Sequence, residues 1–301
     1  MIGISTCYLS EDVKDLKKII DQILRMGFEA IELEYRISET QFKEAKSYLK
    51  KHIKVFSIHN YFPKPDEPYI KGSGDLYLLS STDKDELSEA IKHTVRTIEC
   101  ANDLEAKAVV LHLGRVDMPN PFERLKELFE KGKINEEEGR SFIEEQRKIR
   151  RSKRQKNLDS VLKALDKLIP YAERYGVFLG IENRFYFHEI PDIEELRIIF
   201  KEFEGSNIRY WHDIGHAIVQ EKLGICPSEM FLEEFSDKMI GIHIHDVRGI
   251  EDHLAPGEGE VRFDEIMKFV RKEVIKIFEI HKKAKEEEII KAKEMFYERF
   301  L

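Results

Sequence analysis

Between Gly241 and Gly259 the chain reads Gly-Ile-His-Ile-His-Asp-Val-Arg-Gly-Ile-Glu-Asp-His-Leu-Ala-Pro-Gly-Glu-Gly. His243, His245, Asp246, Glu251, Asp252 and His253 fall within eleven residues of one another. Neutral imidazoles and ionised carboxylates are the usual ligands of Zn, Mn and Fe. A solvated polar loop with one core histidine would not need so many of them. The cluster follows an apolar run, Met239–Ile242, that reads as a buried strand. Its Pro-Gly-Glu-Gly ending lets the backbone turn sharply beside whatever the loop holds.

Similar residues end other apolar runs: His59, His112, Glu182, Asp213 (with His216 one helical turn later) and Glu279. The runs themselves are Ile2–Thr6, Ala30–Glu34, Lys54–His59, Ala106–His112, Val177–Glu182, Ile208–Asp213, Ile240–His245 and Val274–Glu279. Amphipathic helices are predicted between most of them, over Asp12–Met26, Thr40–Lys51, Asp83–Asn102, Asp192–Phe203, Asp264–Lys272 and His281–Phe300. Tyr61–Tyr69 holds three prolines and reads as a loop. Phe122–Tyr175 is helical throughout with no strand signal. Strands alternating with helices predict an α/β fold, a single (β/α)8 TIM barrel spanning residues 1–301. A long helical insertion, about residues 118–160, lies between the fourth and fifth strands. In such a barrel the C-terminal strand ends meet at one face, so these residues share a site.

Two chemistries use this set. Glu182 and Glu279 end strands on opposite sides of the ring. Facing each other across a metal, one takes a proton from a carbon beside a carbonyl and the other returns it. The metal polarises the carbonyl. That is sugar isomerisation or epimerisation, with one divalent ion (Mn, Zn, Co or Mg) on Glu182, Asp213, His243 and Glu279. His59, His112, His216, Glu251 and His253 are then surplus. A cluster of two or three metals would use them all, and that is phosphoester hydrolysis. His216 could also bind substrate or shuttle a proton. Arg115, Arg184 and Arg248 follow ligand positions closely and suit an anionic substrate, or else pair with nearby acids. Tyr61, Phe62 and Trp211 could stack on a sugar or a base, or simply wall the site. The dense run Arg147–Lys156 reads as an exposed helix face balanced by Glu136–Glu138 and Glu144–Glu145, with a phosphate-contacting patch as the alternative.

Composition narrows the partners. The 301 residues carry a net charge of −8, which argues against a nucleic-acid-coating protein. Hydrophobic residues make up 42%, and no run approaches the ~18 apolar residues of a membrane span. The opening Ile2-Gly3-Ile4-Ser5 reads as a strand, so no signal peptide is expected. Cys7, Cys100 and Cys226 read as reduced thiols of a cytoplasmic protein. The 36% of charged residues fit a thermophile's surface.

The strand ends also carry a resemblance. Ile58-His59-Asn60-Tyr61, Val110-Leu111-His112-Leu113-Gly114, Gly180-Ile181-Glu182-Asn183, Trp211-His212-Asp213-Ile214-Gly215-His216-Ala217 and His243-Ile244-His245-Asp246, leading to Asp252-His253 and Pro256-Gly257-Glu258-Gly259, resemble the xylose isomerase-like barrel superfamily. That superfamily holds sugar isomerases and epimerases together with endonuclease IV. The resemblance implies metal ligands at Glu182, Asp213, His243 and Glu279, with the two glutamates transferring protons. The endonuclease IV pattern adds His59, His112, His216, an acid at Glu251 and His253. That family has Asp where this chain has Glu251, and Asp252 is the possible substitute. The helical insertion and the loop after His59 depart from endonuclease IV. The wording of the 243–259 stretch is closer to the sugar phosphate isomerase/epimerase group. The leading expectation is therefore a metal-dependent isomerase or epimerase of a small anionic sugar or polyol. The alternative is a multinuclear phosphoesterase of the endonuclease IV type, and only that one would touch nucleic acid.

Overall fold

Short apolar runs become parallel strands because both of their faces are covered, one by helices and the other by the side chains of the ring. The computed structural model describes residues 1–301. In chain order it begins β1 (Gly3–Ser5), α1 (Cys7–Ser10), α2 (Leu16–Arg25), β2 (Ala30–Leu33), α3 (Glu39–His52), β3 (Lys54–His59), α4 (Lys84–Asp103) and β4 (Ala108–Leu111). It continues α5 (Phe122–Glu130), α6 (Glu137–Tyr175), β5 (Phe178–Glu182), α7 (Ile193–Glu202), β6 (Ile208–Asp213), α8 (Ile214–Lys222), α9 (Glu229–Phe235) and β7 (Met239–Ile244). The last part is β8 (Asp246–Arg248), β9 (Glu251–Leu254), α10 (Phe263–Met267), β10 (Ile275–Phe278) and α11 (Glu286–Phe300). Eight of the strands close into a parallel barrel in the order β1-β10-β7-β6-β5-β4-β3-β2. The predicted TIM barrel is therefore the fold. No helix is long and apolar enough to cross a membrane.

Most buried apolar side chains lie in one cluster between the strands and the helices. A second, small cluster of Ala108, Val110, Trp211, Ile275 and Ile277 fills the inside of the ring. Trp211 is fully buried there. It fits because β7 carries Gly241: a Cβ at that position would overlap the indole ring.

The insertion between β4 and β5 is built from two helices. α6 has 39 residues, which makes it about 58 Å long, and it stops at Gly176. It holds Pro170, which cannot donate its backbone hydrogen bond. α6 is anchored at Arg150, whose buried guanidinium bonds Glu195 at 2.8 and 3.0 Å, pairs with Asp192 and donates to the carbonyls of Phe187 (3.0 Å) and Glu189 (2.8 Å). Asp192 and Glu195 form the capping box that starts α7.

The stretch after β7 is more ordered than a loop. β8 and β9 pair antiparallel, Asp246 opposite Leu254 and Arg248 opposite Glu251. Asp246 fixes this hairpin by accepting backbone N–H bonds from Val247 (2.8 Å), Val261 (2.9 Å) and Gly257 (2.8 Å). Gly257 has φ +100°, a conformation costly for any residue with a Cβ.

Candidate active site

The C-terminal ends of the strands bring four predicted residues together. Glu182 ends β5, Asp213 ends β6, His243 lies in β7 and Glu279 follows β10. His243 Nδ1 lies 2.7 Å from Glu182 Oε1, 3.2 Å from Glu279 Oε2 and 3.5 Å from Asp213 Oδ2. One ligand atom from each of the four lies within 4.8 Å of those of the other three. The other ring nitrogen faces Glu32 Oε1 at 3.1 Å, and Ser57 donates to that carboxylate at 2.8 Å. Glu32 is missing from the residues singled out by sequence. Its place as an acid inside the buried run of β2 is the signal that could have found it.

This packing sets the protonation states. Burial disfavours a charge on His243, but Glu279 and Glu32 outweigh it and hold the imidazole well above its usual pKa. Burial, reinforced by Glu182 and Asp213 and opposed by His243, pushes Glu279 up to about 8. Burial also opposes ionisation of Glu182, yet hydrogen bonds from His112 and His243 hold it well below the carboxylate range. A single imidazole nitrogen can bond only one of three adjacent carboxylates fully. The donor set, three buried carboxylates and one nitrogen, fits a divalent cation.

Two further groups flank this centre. On one side are His59, at the end of β3, and His112, just after β4. His112 Nε2 lies 2.8 Å from Glu182 Oε2, and His59 Nε2 lies 4.0 Å from the same oxygen. His112 Nδ1 meets Asp75 at 3.1 Å. Burial and Arg184 oppose a charge on His112, but Asp75 and Glu182 raise it to about 9. Burial and His112 instead lower His59 to about 4. On the other side His216, Asp252 and His253 converge. Asp213 caps α8 by accepting from the His216 backbone at 2.7 Å, so helix start and site share one carboxylate. His245 Nε2 lies 3.0 Å from Asp213, and its Nδ1 accepts from the His253 backbone at 2.8 Å.

Five predicted site residues are not brought in. Glu251 is half-exposed and pairs with Lys283 at 2.7 Å. Successive strand residues point to opposite faces, so Asp252 turns inward where Glu251 turns out. His253 then faces the site as well, because its φ of +56° breaks the alternation. Such a φ is uncommon in a residue other than Gly, though histidine adopts it more readily than most. Arg248 is exposed and donates to the Glu258 carbonyl in the turn after β9. Arg115 is exposed, and its backbone bridges to Glu189. Tyr61 is buried with its hydroxyl bonded to the Tyr77 carbonyl at 2.7 Å, so it walls the barrel. Trp211 lies beneath the site, its ring 5.1 Å from that of His243 and its Nε1 without a hydrogen-bond partner.

Arg184 is brought in. It bonds Glu182 at 2.9 Å, Glu189 at 3.1 Å and Asp75 at 3.4 Å. Above the four central residues opens a polar cavity of about 320 Å³, walled also by Tyr35, Arg36, Tyr186 and His281. Asp75 and Arg36 come from loops that carry no apolar period, so the sequence offered no signal for either.

The comparisons agree with this architecture. Residues 20–299 match the model of the xylose isomerase-like TIM barrel. Two Methanocaldococcus jannaschii proteins are similar in part. Uncharacterized protein MJ1311 is 35% identical over 116 residues, which cover 36% of this chain and 38% of that one. Uncharacterized protein MJ1614 is 31% identical over 136 residues, covering 43% and 49%. The chain thus matches less than half the length of either relative. Among solved structures, a D-tagatose 3-epimerase-like protein superposes with a TM-score of 0.69 at 21% identity, covering 99% of this chain and 96% of that one. The 3-keto-D-glucoside 4-epimerase of E. coli superposes at 0.68 with 14% identity, covering 99% and 98%. The IolI protein, solved with a zinc atom, superposes at 0.63 with 15% identity, covering 98% and 96%. With the family model spanning nearly the whole barrel, the chain belongs to the xylose isomerase-like TIM barrel family.

Proposed function

We propose that this chain is a divalent-metal-dependent sugar or sugar-phosphate isomerase or epimerase. The observation that carries this reading is the meeting of Glu182 and Glu279, from well-separated strands, on the same nitrogen of His243 at the floor of a polar cavity. Glu182, Asp213, His243 and Glu279 would hold the ion (Mn, Zn, Co or Mg). When bound, it polarises a carbonyl oxygen and stabilises the negative charge that develops as the adjacent carbon loses a proton. One glutamate takes that proton. The other returns a proton to the opposite face of the same carbon, which is epimerisation, or to the former carbonyl carbon while the adjacent hydroxyl proton passes to the former carbonyl oxygen, which is isomerisation. His216, Asp252 and His253, which converge on one wall, would bind substrate hydroxyls, with His216 as the proton shuttle of this reading. Arg36, paired with Glu34, and Arg184, paired with Glu182, Glu189 and Asp75, line the cavity and are the groups that would meet an anionic sugar or polyol.

A second reading rests on the two flanking groups, His59–His112–Glu182 and His216–Asp252–His253. With the central four they would serve two or three metals, as in a phosphoesterase of the endonuclease IV type.

Two measurements separate the readings. Elemental analysis of protein purified without added metal should find about one loosely held Mn, Co or Mg per chain under the first, and two or three Zn or Fe under the second. With Mn added, a panel of ketoses and sugar phosphates in D2O should show deuterium entering the carbon beside the carbonyl. Glu182→Gln and Glu279→Gln should each slow that exchange by about 100-fold or more. Full exchange in Glu279→Gln would remove it from the acid–base pair. Abasic-DNA or phosphodiester cleavage with no exchange on any sugar would replace the first reading by the second.

A further inference from the structure

Away from the barrel mouth, α6 carries Arg147, Arg150, Arg151 and Arg154, whose spacing places all four on one helix face. Together with α7 and the segment after α8 this face encloses a second cavity of about 250 Å³. Its floor is apolar: Phe187, Ile193, Ile225, Met230 and Phe231 line it. Arg150 is consumed in the anchor of α6. The other three are more available. Arg147 pairs with the exposed Glu144 and donates to the Ile225 carbonyl at 2.7 Å. Arg154 pairs with Glu194 at 2.6 Å. Arg151 is exposed and makes neither a hydrogen bond nor an ion pair.

The loop following β5 separates this cavity from the candidate active site. Arg184 and Tyr186 face the barrel mouth, whereas Phe187 and Pro191 face the second cavity. Gln220, which lines the second cavity, donates to the Arg184 carbonyl at 2.5 Å, so the partition is tied from behind. A substrate in the barrel therefore does not extend through it.

We propose that this second cavity is a binding site for a small phosphate monoester with an aromatic or aliphatic body. Guanidinium forks match the planar array of phosphate oxygens and hold them by charge-assisted hydrogen bonds. The apolar floor accepts the ester's body, with Phe187 and Phe231 offering ring surface. Glu189, Asp192 and Glu194 also line the cavity, and Glu194 pairs with Arg154, but Arg151 makes no direct ion pair with any of them, which favours the phosphate-contacting alternative of the sequence reading.

Cys226 lines the same cavity and no part of the barrel mouth, so it reports on this site alone. The test is alkylation of Cys226 by iodoacetamide in the native full-length protein at mildly alkaline pH, followed by peptide mass spectrometry, with phenyl phosphate as the probe. Protection should saturate, reaching about tenfold when the probe is about ten times its dissociation constant. Arg151→Glu, at an exposed and unpaired position, should weaken the probe by about tenfold or more. Phenol should give no protection. Cys226 labelling that phenyl phosphate leaves unchanged would overturn the proposal. So would equal protection in Arg151→Glu, or equal protection by phenol.

Discussion

Three carboxylates around one ring nitrogen of His243 make the metal-free site a proton store. His243 is held well above its usual pKa and Glu279 at about 8, so both carry protons near neutrality. A cation binds only the deprotonated forms, so its arrival must expel them. The sign follows: affinity weakens as pH falls and strengthens as pH rises. Calorimetric titration of the metal-free protein with Mn or Zn, in buffers of different ionisation enthalpy, should find about one to two protons released near pH 7. Release should decline above about pH 8, where Glu279 has already ionised. A pH-independent affinity between about 6 and 8 would contradict the assignment of these residues to a cation. The neighbouring pair Glu251 and Asp252 gives a second residue-scale prediction. Glu251→Gln removes a surface pair with Lys283 and should change stability by less than about 0.5 kcal/mol and turnover not at all. Asp252→Asn should slow deuterium exchange by about tenfold or more. The reverse ranking would return the role to Glu251. The resemblance put the acid at Glu251 with Asp252 as the substitute; the strand's alternation chooses between them, and no local pattern announced the positive φ at His253.

At the scale of elements, the insertion is tied to α7 by one buried cation. Arg150 is almost fully enclosed, and Glu195 beneath it is fully buried. Burial, reinforced by the charge of Asp192, raises Glu195 above the usual carboxylate value, and Arg150 is the main group opposing that rise. Arg150→Ala would leave a carboxylate and two carbonyls without their donor. It should cost about 3–5 kcal/mol, seen as a lower urea midpoint. A loss below about 1 kcal/mol would mean that α6 is secured elsewhere. None of this could be read from the chain, where Arg150 is one member of a basic run and Glu195 lies 45 positions away. The strands were more legible. Runs such as Val109–Leu111 or Leu179–Ile181 need no knowledge of a partner, because burial on both faces writes itself into composition. The hairpin of β8 and β9, polar and short, has no such mark.

Across the whole molecule, the ring collects the acids and imidazoles that the chain scatters over more than 200 residues, from His59 to Glu279. That gathering was legible, since each residue ends a strand and parallel strands share a direction. What each side chain touches was not, because packing inside the ring decides it. Tyr61 and Trp211 both sit beside candidate site residues in sequence, yet each is turned into the protein. The placement of Trp211 has an optical consequence. It is the only tryptophan, buried, with its ring 5.1 Å from that of His243. A protonated imidazole quenches indole emission, so the metal-free protein should be dim. Zn or Mg, which are diamagnetic, should brighten it by displacing the ring proton, whereas Co should darken it further. Emission indifferent to all three ions would place the cation away from His243.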